Sequence, residues 1–196
     1  MVGRPRKDAS NLSAERMVEA AWELVDKEGV AALSTRSLAK ELGVQSPALY
    51  WHVKNKQQLM GLMVEHILGD PIEALEAGGN WGDWLRSVVK EQRKALLNHK
   101  DSGIIMMSTP PTERLRTVVF PQLIKPLVRA GLPAPMATAA GGAVASFLLG
   151  WILYEQREET RQMIEAYHDP DTAFEEALDA IVLGIETKAR AAGVAV

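Results

Sequence analysis

Apolar side chains recur along this chain at three- and four-residue spacing and almost never in strict alternation, so the pattern predicts helices and no sheet. Met17, Ala20, Ala21, Leu24 and Val25 share one face of a first helix. Ser13 is its expected cap, Glu15 sits in its first turn, and Leu12 is placed to staple onto Met17. Gly29 is expected as a left-handed C-cap, with Val30 closing back on Val25. Ser34 caps a second helix, stapled by Leu33 and Leu38, with Leu42 on the same core face and Gly43 as a tight turn. Ser46 then reads as an N-cap and Pro47 as the first residue of a third helix. Leu49 and Val53 face inward, which forces Tyr50, Trp51 and His52 to project elsewhere.

The remaining elements follow the same code. Asn55 and Gln58 form a capping box for a helix whose apolar face is Leu59, Leu62, Met63, His66 and Ile67, ended by Gly69-Asp70-Pro71. After a linker around Ala77-Gly78-Gly79-Asn80, Trp81, Trp84, Leu85, Val88, Val89 and Leu96 mark the next amphipathic helix. A helix from Pro110-Pro111-Thr112 towards Gly131 should kink or break, because Pro121 and Pro126 lie inside it. Ala134 to about Arg161 reads as one long helix, rich in small residues before Phe147, Leu148 and Trp151. The last helix is expected to start near Thr172, in a capping box with Glu175, and to bury Phe174, Leu178, Ile181, Val182 and Ile185.

Two short helices joined by a glycine turn, the second crowded with aromatic, polar and basic residues, present a recognition helix to the DNA major groove. The overall charge of −3 conceals an asymmetry: residues 1–56 hold nine Lys/Arg against seven Asp/Glu, and the rest thirteen against eighteen. The absence of cysteine excludes disulfides, thiolate nucleophiles and Cys-ligated metals. No apolar run is judged long enough to span a bilayer and no signal-peptide core precedes the first helix, so a cytoplasmic location is expected. The sequence carries no P-loop, nucleophile elbow, His-Glu-x-x-His or dinucleotide fingerprint, and His52, His66, His99 and His168 are scattered. An enzyme is not expected.

Thr35-Arg36-x-Leu38-Ala39-x-x-Leu42-Gly43-Val44, followed by Pro47-x-Leu49-Tyr50-Trp51-His52-Val53-Lys54-Asn55-Lys56, resembles the TetR family of transcriptional regulators. His99-Lys100-Asp101, Thr109-x-Pro111-Thr112-Glu113 and Gly150-x-x-Leu153-x-x-Gln156 extend the resemblance through the body. It implies an all-α protein: an N-terminal helix-turn-helix three-helix domain and a C-terminal helical ligand-binding and dimerisation domain. The expected divisions are a basic arm over 1–12, a DNA-binding domain over 13–56 and a regulatory domain over 57–196. The resemblance places Thr35, Arg36, Tyr50, His52 and Lys56 on phosphates, with Trp51 on the same projecting face. Gln45, Ser46, Pro47 and Ala48 occupy the base-reading stretch, where the family's founding member has glutamine at the Ser46 position and threonine at the Ala48 position. Ser46 can donate or accept, and Ala48 can touch only something apolar such as a thymine methyl. Arg4 and Arg6, flanking Pro5, resemble a minor-groove arm; a solvated terminus is the alternative.

In the founding member a histidine and a glutamate help to hold a magnesium ion that accompanies the drug. The corresponding positions here are Met106 and Tyr154, and Val88 stands where a polar asparagine is needed. Hard cations want oxygen or imidazole, so no metal or other cofactor is expected. The candidate effector-binding residues are Trp84, Val88, Met106, Met107, Thr109, Met136, Phe147, Trp151 and Tyr154, whose apolar and aromatic character suits an apolar small molecule; each alone also reads as ordinary core. Ala139, Gly142, Ala145, Ile181, Val182 and Ile185 are the candidate homodimer interface, a close-packed bundle that would hold two heads on a pseudo-palindromic operator. A ligand-released repressor, a constitutive dimeric DNA binder with no effector, and an enzyme built on the same fold are the readings that remain.

Overall fold

The structure, a computed structural model, describes residues 12–69 and 79–194. The basic arm with Arg4 and Arg6, the stop at Asp70-Pro71 and the linker residues Ala77 and Gly78 lie outside them. Among the described residues there are helices and no strands, as the periodicity predicts.

Helix α1 (Ala14–Glu28) starts where Ser13 accepts the Arg16 amide, and buries Met17, Ala21, Leu24 and Val25. Gly29 has a positive φ of 85° but a ψ of 163°, so the chain leaves α1 extended instead of in the expected left-handed cap. A single 3-10 turn (Val30–Ala32) follows. Helix α2 (Thr35–Leu42) begins in a capping box of Ser34 with Ser37 and ends at Gly43, which is left-handed at φ 68°. Helix α3 is only Ser46–Leu49. Gln45 takes the N-cap position without a side-chain bond, so Ser46 is already helical and Pro47 sits one residue later than expected. Helix α4 (Lys56–Gly69) is capped by Asn55, whose oxygen accepts the Gln58 amide, while Gln58 reaches back to the Lys54 amide.

The body consists of α5 (Trp81–Leu97), α6 (Ser102–Ser108), α7 (Phe120–Arg129), α8 (Ala134–Glu155), α9 (Glu158–Glu165) and α10 (Pro170–Ala191). Four expectations change here. The helix does not break at Pro121: residues Leu115–Val119 widen into a π-helical turn, and Phe120 N–H reaches the Leu115 carbonyl five residues back. Widening absorbs the donor that Pro121 lacks. The long helix stops at Glu155, and Arg157 turns extended to start α9. Glu155 is drawn to Arg93 and Gln156 to the α5–α6 corner, while the Thr160 hydroxyl donates to the Tyr154 carbonyl. Helix α10 is capped by Asp169 with Pro170 as its first residue, leaving Thr172 inside the helix as the amide that Asp169 accepts. His66 is exposed, and Met60, Val64 and Leu68 take the inner side of α4.

One apolar core runs without interruption from α1 through α4 into α5, α6, α8 and α10. Helix α4 is therefore part of both the N-terminal head and the body. A smaller cluster at the far end gathers Trp81, Leu127, Leu132, Ala137, Ala140 and Ala189, and Trp84 and Ile185 touch both. The Arg93 guanidinium pairs with the buried carboxylate of Glu155 and with Asp171, and lies 4.6 Å over the Phe174 ring. Burial opposes the Arg93 charge, but hydrogen bonds to Glu155 and Asp171 outweigh it and hold its pKa above the ordinary value. Glu155→Ala is expected to cost about 3 kcal/mol, because a buried guanidinium then keeps only the exposed Asp171. A denaturant midpoint shifted at constant m-value checks this.

Helix α8 also corrects the reading that no run could span a bilayer: by length and mean hydropathy (1.7 over 18 residues) it passes that test, with only a third of the window buried. Its inner side is committed to the core through Ala137, Ala140, Gly141, Val144, Leu148 and Ile152. The other side is apolar and uncovered within the chain.

Candidate nucleic-acid interface and regulatory body

Two buried anchors, Leu49 and Val53, fasten α3 and the turn after it to the head, and both have no exposed surface. The His52 and Val53 amides both donate to the Leu49 carbonyl, so residues 50–52 form a tight turn that cannot tuck inward. Tyr50 is 55% exposed and Trp51 90% exposed. A tryptophan stripped of neighbours inside its own chain, on a rigid turn, has the exposure of a contact residue and not of core.

The expected DNA residues flank that turn in sequence and differ in exposure. Arg36, Gln45, Pro47 and His52 are exposed, and Thr35, Ser46 and Ala48 are half-buried. Lys56 is less free than expected, since its ammonium donates to the Val30 carbonyl at 2.8 Å, leaving two protons for another acceptor. Lys54, exposed between His52 and Asn55, was missed; a basic residue in the same turn as Tyr50 and His52 was the available signal.

The nine effector candidates do not line one space. Phe147 and Trp151 pack with Phe174 of α10, at ring separations of 5.3–5.8 Å. Both rings share the main core with Val88 and Met106, whereas Met136 packs on the smaller cluster and Trp84 touches both. Met107 is 60% and Tyr154 49% exposed, so neither joins that interior, and the Thr109 hydroxyl is spent on the Ile105 carbonyl. A thioether, a valine and a surface phenol do not make a hard-cation site.

The dimer candidates also divide. Ala139, Gly142 and Ala145 lie on the exposed side of α8, whereas Val182 is fully buried in its own chain's core and Ile181 and Ile185 are partly buried there. The exposed side of α10 is instead Ala180, Leu183, Gly184 and Thr187. Period alone cannot tell which side of a two-sided helix meets its own chain.

A contact between head and body sits at the α5–α6 corner. His99 stacks on Trp22 at 4.4 Å and its Nδ1 lies 2.9 Å from the Asp26 carboxylate. The Lys100 amide donates to Asp26, and Asp101 accepts the Val30 amide, each at 2.8 Å. Asp101 is the one non-glycine residue with positive φ among the described residues, at 56°.

Residues 17–63 match the family model for the bacterial regulatory proteins of the tetR family, and 74–166 match the tetracyclin repressor-like C-terminal domain. The class D tetracycline repressor protein of Escherichia coli is 34% identical over 164 residues, covering 83% of this chain and 74% of its own. The class A repressor from transposon 1721, also of Escherichia coli, is 31% identical over 90% of this chain and 91% of its own.

The chain belongs to the TetR family.

A crystal structure of a TetR variant from Acinetobacter baumannii AYE in complex with minocycline aligns with a TM-score of 0.78 at 31% identity, covering 90% of this chain and 98% of that one. The helix-turn-helix of this TetR-family chain is thus α2 and α3, followed by the Tyr50–His52 turn, with α4 leading from the reading head into the body.

Proposed function

We propose that this chain is a homodimeric transcriptional repressor that reads a pseudo-palindromic operator and is released by an apolar small molecule without magnesium. The observation that carries the DNA reading is the surface of exposed Tyr50, Trp51, His52, Arg36 and Gln45, held by the buried Leu49 and Val53. Thr35, Arg36, Tyr50, His52, Lys54 and Lys56 take phosphates and set register, while Gln45, Ser46, Pro47 and Ala48 read base edges. We assign residues 13–56 to the reading head, 57–196 to the body, and Arg4 and Arg6 of the arm over 1–12 to the minor groove. The protein works in the cytoplasm and catalyses nothing.

The dimer rests on α8 and α10. A glycine inside a helix costs about 1 kcal/mol relative to alanine, so it wants a reason. At Gly141 and Gly82 the reason lies inside the chain, since a Cβ would fall 2.4 Å from the Ile124 side chain and 2.1 Å from the Glu186 carboxylate. At Gly142 and Gly184 a Cβ would meet nothing within 4 Å. Both sit on the uncovered apolar side, beside Ala139, Ala145 and a half-exposed Leu183, where a second copy's helices would approach closely.

The effector reading is supported by the hydrocarbon and thioether character of the interior around Val88, Ile105 and Met106. A TetR variant of the same fold crystallised in complex with minocycline supports a small-molecule effector. Release by a factor of one hundred needs about 2.7 kcal/mol of differential affinity between the two head arrangements.

Selection of duplexes from a random pool tests the DNA reading: the parent is expected to enrich one palindromic consensus. Gln45→Ala and Ser46→Ala should each relax it, by about 1–3 kcal/mol per lost base contact. A pool that remains random defeats it. For the effector, hydrophobic compounds are expected to displace the selected duplex equally with and without EDTA. A strict magnesium requirement overturns the metal-free reading, and binders that leave duplex affinity unchanged favour the constitutive dimer.

A further inference from the structure

Head and body are joined twice, by the continuous helix α4 and by the polar contacts of the α5–α6 corner on α1. The second joint is shaped from outside by one side chain. Gln156, the first residue past α8, accepts the Gly103 amide through Oε1 at 3.0 Å. Its Nε2 donates to the His99 carbonyl at 2.8 Å and to the Ser102 hydroxyl at 3.0 Å. Ser102 is fully buried and passes its own proton to the Leu96 carbonyl at 2.7 Å. The corner thus offers an amide, a carbonyl and a hydroxyl to one carboxamide, a mixture that neither a carboxylate nor an alkyl group satisfies.

We propose that Gln156 is a positioning residue for DNA binding: its carboxamide holds the α5–α6 corner in the form that seats the reading head through Asp26, His99, Lys100 and Asp101. This rests on the DNA-binding reading above. With the corner fixed, Asp101 in its left-handed turn directs its carboxylate at Val30, and Lys100 and His99 face Asp26. Tight packing around Gly103, where a Cβ would lie 3.1 Å from Ile152 and Leu153, keeps α6 and the end of α8 in register. Helix α8 also carries the exposed Gly142, so Gln156 links the helix of the dimer face to the angle of each head. Two half-sites must be met at once, and an error in that angle counts against a palindrome while leaving single-head contacts intact.

The test compares Gln156→Leu and Gln156→Glu with the parent by amide hydrogen exchange and by binding to two duplexes, one selected by the parent and one non-cognate. Both variants should remain dimeric. The Val30 amide, just past α1, and the Lys100 amide, facing Asp26 of α1, should exchange about tenfold faster in each, since the corner no longer holds donor and acceptor together. Affinity for the selected duplex should fall about tenfold and that for the non-cognate duplex should not change. Unchanged exchange at Val30 and Lys100, or an equal loss on both duplexes, overturns the proposal. If the Gln156 variants do not fold, Asp101 serves: Asp101→Asn keeps an oxygen for Val30 and tolerates the left-handed turn, whereas Asp101→Ala does neither. Parent-like binding by Asp101→Ala overturns it as well. Should the parent select no duplex, the DNA reading fails, and the exchange rates still decide whether Gln156 seats the head.

Discussion

Alanine at both Arg36 and Lys54 is expected to weaken binding to every duplex and to flatten its dependence on salt. Each phosphate neutralised contributes about 0.9 to the slope of log K against log salt, so two cations on each of two heads should lower it by about 3–4. Both side chains are exposed, and among the described residues neither has a hydrogen bond or ion pair, so fold stability should stay within about 0.5 kcal/mol of the parent. Lys56 is a poorer probe, because its ammonium also holds the Val30 carbonyl and its loss would disturb the head. Titrations at several salt concentrations check the prediction, and a slope equal to the parent's would remove these residues from the DNA surface.

The second large effect concerns assembly. Gly142→Glu combined with Gly184→Glu should turn the protein into a monomer and abolish binding to the selected duplex. Among the described residues a Cβ at either position meets nothing within 4 Å, and glutamate is a better helix former than glycine, so each helix should form at least as well. Across a two-fold axis they would place like charges and bulk where the helices must touch. Sedimentation at micromolar concentration separates the outcomes, and a variant that stays dimeric would move the interface elsewhere. A body that needs its partner to fold would show this as a concentration-dependent Tm in the parent.

What was legible in the sequence, and what was not, follows the range of the forces involved. Caps, turns and periodicity act over a few residues: Ser13, Ser34 and Asn55 all cap helices, and Gly43 makes the turn between α2 and α3. The density of aromatic and basic residues from Tyr50 to Lys56 is likewise local. Helix ends were less legible where a distant partner decided them, as at Glu155, which ends α8 facing Arg93, and at the π-turn that lets the chain continue past Pro121.

The sequence by itself determined an all-helical chain, a reading head whose anchors are Leu49 and Val53, and the family to which it belongs. Those features depend on residues close together in the chain, where hydrogen bonds and apolar spacing leave few alternatives. Only the tertiary structure decided which side of each amphipathic helix is free, turning Val182 inward and leaving Gly142 and Leu183 outside. It alone separated Met136 from Met106, Phe147 and Trp151, and brought Asp26 and Val30 to the corner at His99–Asp101. Partners more than 70 residues apart leave no mark in local spacing, because a carboxylate's fitness for one particular amide depends on where the whole core places both.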